Sequence, residues 1–179
     1  MNNSSKNFSE NEYIDSVFSK KIYLIILLFT TLWVLLIFLA PFLMATGETG
    51  EKISSVIYLF FSKVCHQDDG RSFHMFGHIL GVCSRCVWIY SGFFTGILSY
   101  PLIKKINNVK LPSVWFLIIP VVILGADVFA DITGILKNTF FSRSVTGFII
   151  GFTLVFFLYP GFLKFFYEVN LFLKNKLST

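Results

Sequence analysis

The sequence predicts an all-α integral membrane protein: a bundle of four transmembrane helices with a short interfacial helix before a loop rich in cysteine and histidine. The composition supports this fold class, because 55% of the 179 residues are hydrophobic and the mean hydropathy is +0.72. Only 14% are charged, against about 25% in an average soluble domain. A soluble fold of this size could not cover so much apolar surface, so we expect a lipid bilayer around the chain.

The charge distribution excludes a nucleic-acid partner. The net charge of +5 would be compatible with one. However, the lysines flank apolar runs, where membrane topology explains them better. The chain has room for about four spans with short loops, and none for a separate soluble domain.

The first span is predicted at 22–45, which holds 24 residues without a charge. The polar residues 1–21 before it form a predicted cytoplasmic tail. This long polar region and the long apolar run favour an uncleaved span over a signal peptide. Residues 53–64 are apolar but too short to span, which predicts the interfacial helix.

Three further spans are predicted at 87–103, 113–136 and 145–166. The second could begin as early as Cys83. With the first span they form a single membrane domain over 22–166, in which 53–86 is a loop containing the cysteines and histidines. Residues 167–179 are predicted to be a second cytoplasmic tail.

Lysine and arginine near the span ends set the expected orientation in a cytoplasmic (inner) membrane. With both termini in the cytoplasm, nine basic residues lie inside: Lys6, Lys20, Lys21, Lys104, Lys105, Lys110, Lys164, Lys174 and Lys176. Six lie outside: Lys52, Lys63, Arg71, Arg85, Lys137 and Arg143. The excess inside predicts that the loop 53–86 is on the outer face.

All the cysteines and histidines of the chain lie in that outer loop. They are Cys65, His66, His74, His78, Cys83 and Cys86. A CxxC places two sulfurs on one turn, where they can bind one metal ion or form a disulfide. Cys65-His66 could add a third sulfur and an imidazole to make a Cys₃His site, with zinc as the expected metal and iron as the less favoured one. An odd cysteine count argues against a plain disulfide framework.

The other two histidines leave alternatives open. Because adjacent ligands are sterically awkward, His74 or His78 could replace His66 in the metal site. They are spaced i, i+4 and would share one face of a helix. The pattern lacks a glutamate after the first histidine, so it is not a metalloprotease motif. Two histidines at a headgroup boundary are an equally good interpretation.

Two aspartates in the third span, Asp127 and Asp131, predict an ion-pair region. A carboxylate within a span is costly unless it is paired or faces water. The three arginines of the chain, Arg71, Arg85 and Arg143, are expected at the same outer level. Arginine is favoured where a planar, bidentate cation is needed. These five residues would form a charged layer behind the metal site, a substrate pocket, or simply salt bridges that hold the bundle.

Two GxxxG patterns predict which spans pack closely. Gly92 and Gly96 lie in the second span, and Gly147 and Gly151 in the fourth. Small residues at this spacing allow two membrane helices to approach closely. We therefore expect the second and fourth spans to be neighbours, with Cys86 near Arg143.

Several of these residues resemble a known family. The motifs are Cys-His-Gln at 65–67, Arg-Ser-Phe at 71–73, Cys-x-Arg-Cys at 83–86, an aspartate in a later span and Arg-Ser-Val-Thr-Gly at 143–147. Their order over about 55–151 resembles domain-of-unknown-function family 2085, small prokaryotic multi-pass membrane proteins. The resemblance adds Gln67, Ser72 and Tyr90 as motif positions. Trp88 departs from the glycine usual in the family, which would narrow any pocket there.

Three functions remain open from the sequence. The leading hypothesis is a membrane protein with a metal site on its outer face, structural if four protein ligands close it and able to activate a water if one position is open. The second is a thiol–disulfide oxidoreductase that uses Cys83 and Cys86, with Arg85 lowering a thiol pKa. The third is a structural or transport protein in which a metal ion or salt bridges only tie down the loop.

Overall fold

The computed structural model describes residues 14–177, and most of the predicted N-terminal tail lies outside them. This part of the chain forms five α-helices and a two-stranded hairpin. The helices are α1 (Ser16–Met44), α2 (Glu48–Phe61), α3 (Ser84–Ile103), α4 (Trp115–Ile132) and α5 (Phe140–Leu177), and the antiparallel strands are β1 (His74–Met75) and β2 (His78–Ile79). Helices α1, α3, α4 and α5 are long and apolar enough to cross a membrane, so the predicted four-span helical fold is confirmed.

Helix ends differ from the apolar runs that predicted them. α1 begins at Ser16, where the Asp15 side chain accepts a hydrogen bond from Val17 N at 3.3 Å. α5 continues to Leu177, through most of the segment expected to be a tail. Residues 167–177 contain no glycine or proline, so the helix can continue past the apolar run. α4 ends before the predicted boundary because Gly134 takes a left-handed conformation, with φ 73°.

The predicted short helix is present as α2, which begins at Glu48, before the predicted start at residue 53. Glu48 and Glu51 lie in its first turn, where their negative charges interact favourably with the helix dipole. α2 turns back on α1 after Gly47, whose φ is 97°. The Ser54 hydroxyl donates to the Ala40 carbonyl at 2.6 Å, so the two helices form a close antiparallel pair.

Glycines on α3 and α5 bring the two backbones into contact, as the GxxxG patterns predicted. A Cβ on Gly92 would overlap the Phe148 carbonyl oxygen. A Cβ on Gly151 would overlap the Ile89 carbonyl oxygen. Neither position can hold a larger side chain without moving backbone. This contact fixes the first turn of α3 against the first turns of α5.

Two buried clusters of apolar side chains lie on either side of this contact. One contains Tyr100 of α3 and Tyr159 of α5, whose hydroxyl donates to the Ile106 carbonyl at 2.8 Å. The other contains Phe61, Cys65 and Val82 and surrounds the start of α3. We call this second end of the bundle the cysteine end. The outward faces of the spans are exposed and apolar, as a lipid-facing surface requires.

The prediction that His74 and His78 share a helix face is wrong. They lie on β1 and β2. The residues that face each other across the two strands are His74 with Ile79 and Met75 with His78. Phe76 and Gly77 connect the strands with φ values of 56° and 80°, the left-handed pair that a tight hairpin turn requires. Because side chains alternate along a strand, the two imidazoles lie on opposite faces of the hairpin.

The α3–α5 contact predicts that Gly151→Ala destabilises the bundle. The new methyl group would meet the Ile89 carbonyl, so the helices must separate, at a cost of about 1–3 kcal/mol. Unfolding in mixed detergent micelles, followed by circular dichroism, measures the change. Gly161→Ala in the same helix is the control, because nothing lies within 4 Å of its Cβ position. Equal stability of the two variants would contradict the contact.

Candidate metal centre

Three cysteine sulfurs converge at the cysteine end of the bundle. The Sγ atoms of Cys65, Cys83 and Cys86 all lie within 4.8 Å of one another. Cys65 is buried, the other two are half-buried, and all three are free thiols. We call these three sulfur atoms the three-sulfur cluster.

Backbone hydrogen bonds explain why the distant Cys65 reaches the CxxC. Cys65 N donates to the Phe61 carbonyl at 2.9 Å, so the residue stays at the end of α2. Gln67 then turns the chain with φ 52°. Its side-chain amide donates to the carbonyls of Tyr58 at 3.0 Å and Gly81 at 2.7 Å. These two bonds hold the loop after α2 against the segment that leads into α3.

The start of α3 supplies a favourable electrostatic environment for a thiolate. Cys83 is the N-cap of the helix, and its N–H donates to Cys65 Sγ at 3.2 Å. Hydrogen bonds from Cys83 and then Cys86 lower the pKa of Cys65, against the opposing effect of burial. The positive end of the helix dipole also favours negative charge at this point. The thiolate is the form that binds metals and acts as a nucleophile.

The spacing of the sulfurs fits one tetrahedral ion. At a zinc–sulfur distance of about 2.3 Å, tetrahedral ligands are about 3.8 Å apart. The three sulfur atoms lie within 4.8 Å of one another, so they would need to move together by only a small distance to bind one ion. Three thiolates leave one of four tetrahedral positions for another ligand.

An aromatic group that was not foreseen from the sequence packs against the apolar cluster that contains Cys65. Trp33 of α1 lies 5.4 Å from Phe61 and 5.5 Å from Tyr90, measured between ring centroids. Both rings pack with Cys83 and Cys86 around the same buried cluster. Tyr90 was identified only as a motif position. A signal for Trp33 was present, because tryptophan is usual at the ends of a span and this one lies near the middle of 22–45.

The histidines lie outside the three-sulfur cluster. The imidazole of His66 is exposed and lines a cavity with Gln67 and His78. His74 is also exposed, and its Nε2 lies 3.0 Å from an Asp69 oxygen. The structure therefore does not bring His66, predicted as the fourth ligand, into the group formed by the cysteines.

An ion pair joins the CxxC turn to α4. Arg85 Nη2 donates to Asp127 Oδ2 at 2.5 Å, and both side chains are largely buried. Asp127 also accepts hydrogen bonds from Asn138 Nδ2, at 3.0 Å, and from the Ser142 hydroxyl. The guanidinium of Arg85 is thus paired with the carboxylate of Asp127. Contacts with Asn138 and Ser142 were not foreseen from the sequence.

A second ion pair connects α4 with the start of α5. Arg143 Nη2 donates to Asp131 Oδ2 at 3.1 Å, and Asn138 N donates to Asp131 Oδ1 at 3.0 Å. Asn138 therefore contacts both aspartates. The structure brings together Arg85, Arg143 and the two aspartates, as the sequence suggested.

The remaining motif positions support the loop. Arg71 is exposed, and its Nε lies 3.7 Å from Asp68 Oδ2. Ser72 is buried, and its hydroxyl donates to the Asp68 carbonyl at 2.7 Å. Phe73 stacks on Phe140 at the start of α5, with 5.1 Å between ring centroids. Arg71 is therefore not part of the two buried ion pairs.

The order of these features along the chain agrees with a family comparison. A family model described as a predicted membrane protein, DUF2085, matches residues 65–157. The chain belongs to this family. The match begins at Cys65 and includes every residue of the three-sulfur cluster and of the two buried ion pairs.

Two archaeal relatives extend the comparison. An uncharacterized protein of Methanocaldococcus jannaschii is 41% identical over 152 residues, which cover 83% of this chain and 97% of that protein. An uncharacterized protein of Methanothermobacter thermautotrophicus is 33% identical over 93 residues, or 51% of this chain and 81% of that protein. No solved structure matches the chain.

The ion pair between Arg85 and Asp127 predicts that Asp127→Asn destabilises the protein. The amide cannot neutralise Arg85, and the loss of one partner of this part-buried pair is expected to cost about 1–3 kcal/mol. Unfolding in mixed micelles measures the loss of free energy. Glu48→Gln is the control, because its ion pair with Lys52 is exposed and such pairs contribute little. An Asp127→Asn protein as stable as the control would contradict a structural role for the pair.

Proposed function

We propose that this DUF2085 protein binds one zinc ion through Cys65, Cys83 and Cys86, and that this centre is the basis of its function. The convergence of three sulfurs within 4.8 Å is the observation that supports it. The chain has only three cysteines, and they come from the two ends of a segment, with Cys65 and Cys83 18 residues apart. Packing of cysteines as small apolar residues would not require their sulfur atoms to meet.

The environment favours zinc bound to thiolates. Three thiolates and Zn²⁺ carry a net charge of −1, which the N-terminus of α3 would stabilise. The aromatic and apolar side chains around the cluster would limit access of water to it. His66 is the proposed fourth ligand, as the sequence favoured. To reach the fourth position, its side chain would have to turn away from the cavity.

The ion pairs would hold the metal centre in place. Arg85 lies between two proposed ligands and is fixed to α4 by Asp127 at 2.5 Å. A carboxylate and a guanidinium that satisfy each other are less available to a substrate. We therefore favour a supporting role for these charges over a substrate pocket, and α4 is the helix that they keep in the bundle.

A metal assay tests the centre directly. Protein purified in detergent without chelator is expected to contain about one equivalent of zinc, and Cys83→Ser should lose most of it because two thiolates hold the ion poorly. Mass spectrometry of the metal, with a count of free thiols, gives both quantities. Ser84→Ala is the matched control, since its side chain is adjacent but has no sulfur. A metal-free native protein would refute the proposal.

A thiol–disulfide oxidoreductase is the second candidate, since any two of the three close thiols could pair. The commitment of Arg85 to Asp127 weakens this reading, because the guanidinium was expected to activate a thiol. In the assay above, two of three thiols oxidised, together with no bound metal, would favour it. Quinone reduction by the purified protein would then be the next measurement.

We also propose that the protein lies in the cytoplasmic membrane with both termini inside and the cysteine end outside. The excess of lysines flanking the inner span ends supports this orientation. Green fluorescent protein fused after Thr179 is expected to fluoresce, since it folds in the cytoplasm. Alkaline phosphatase fused there should be inactive. The reverse pattern would invert the topology and place the cysteine end inside.

A further inference from the structure

A cavity lies beside the proposed metal centre, on the other side of the loop that follows α2. Its volume is about 590 Å³. Residues of α1, α2, the loop and β2 line this open pocket, and we call it the histidine cavity. It is lined by Met44, Ser55, Tyr58, Leu59, Ser62, His66, Gln67, His78 and Ile79.

Two imidazoles give this cavity the chemistry of a metal site. His66 and His78 both line it, and imidazole is a good ligand for zinc and for other late first-row metals. Two nitrogen ligands therefore line one water-accessible space. His74, the remaining histidine, is on the opposite face of the hairpin beside Asp69.

The cavity and the three-sulfur cluster share a wall three residues long. Cys65 contributes its sulfur to the cluster, whereas the next two residues, His66 and Gln67, face the cavity. The Gln67 amide bonds to Tyr58 and Gly81 hold this wall in place. The buried sulfur of Cys65 and the exposed imidazole of His66 thus belong to consecutive residues. The sulfur lies on the side of the three-sulfur cluster, and the imidazole lies on the side of the cavity.

We propose that the histidine cavity is a loading site, which binds Zn²⁺ weakly through His66 and His78 and passes it to the three-sulfur cluster. This inference rests on the proposed function, because it names how the ion reaches that centre. Thiolates would replace His78 and the water ligands one at a time while His66 stays bound, and each cysteine thiol would release its proton to water as it binds. The direction of transfer follows from the greater charge and softness of three thiolates.

The location of the cluster supports the need for such a route. Cys65 is only 7% exposed, and Trp33, Phe61 and Tyr90 pack in the apolar cluster that contains it, whereas Cys83 and Cys86 are half-buried. An ion that approaches Cys65 from the side of the cavity therefore meets the exposed His66 before it meets the Cys65 sulfur. The cavity lies on the polar, open side of the wall formed by residues 65–67.

The experiment uses the full chain in detergent, stripped of metal, with Zn²⁺ supplied from a chromophoric chelator. His78→Ala is expected to load the cluster about tenfold more slowly, with the final one equivalent unchanged. His78 is the chosen variant because it is not a proposed ligand of the cluster. His74→Ala is the matched control and should load at the native rate. An unchanged rate for His78→Ala, or equal slowing by His74→Ala, would overturn the inference.

A second variant separates the cavity from the centre. With all three cysteines changed to serine, the chain is expected to retain one weakly bound Zn²⁺, which His78→Ala in that background removes. No binding by the triple variant would overturn the loading site and leave the proposed function standing. A native chain that takes up no more zinc than the triple variant would instead refute the proposed centre. Circular dichroism and the His78→Gln variant distinguish loss of a ligand from loss of fold.

Discussion

The close contact between α3 and α5 is the constraint on which the other features of this protein depend. In lipid, apolar surface gives no driving force for helix association, so backbone packing at small residues must supply it. Gly92 and Gly151 let the helices approach until a Cβ would overlap a carbonyl oxygen of the partner. This contact holds the first turn of α3, and with it two of the three sulfurs, against the start of α5.

The first turn of α3 serves two regions of the bundle at once. Residues three apart lie on one face of a helix, so Cys83 and Cys86 point together toward the loop after α2. Arg85, two residues from Cys83, points away from that face to reach Asp127 on α4. One turn of helix thus joins a sulfur cluster on one side to a buried ion pair on the other. Movement of α4 would be transmitted to the cysteines through this link.

Particular residues show how much of this could be read in advance. The four spans were predictable because a backbone in lipid must satisfy its own hydrogen bonds, which requires apolar helices of minimum length. The aspartate–arginine pairs were predictable because a charge in a span needs a partner. His74 and His78 were misassigned because their i, i+4 spacing is also compatible with a hairpin, and Phe76 and Gly77 supply its turn. Asn138 bonds both aspartates through a turn between helices, and such a contact has no periodic signal.

The sequence by itself determined the membrane environment, the helical spans, the close packing of the second and fourth of them, and the concentration of sulfur and imidazole in one loop. These follow from composition and spacing, which act locally. Only the tertiary structure decided which of those ligands meet. Gln67 turns the chain with a left-handed conformation and bonds to two distant carbonyls, so Cys65 joins the other sulfurs while His66 faces the cavity. The separation of Cys65 from His66 depends on contacts between different segments of the chain. No local sequence pattern encodes such contacts.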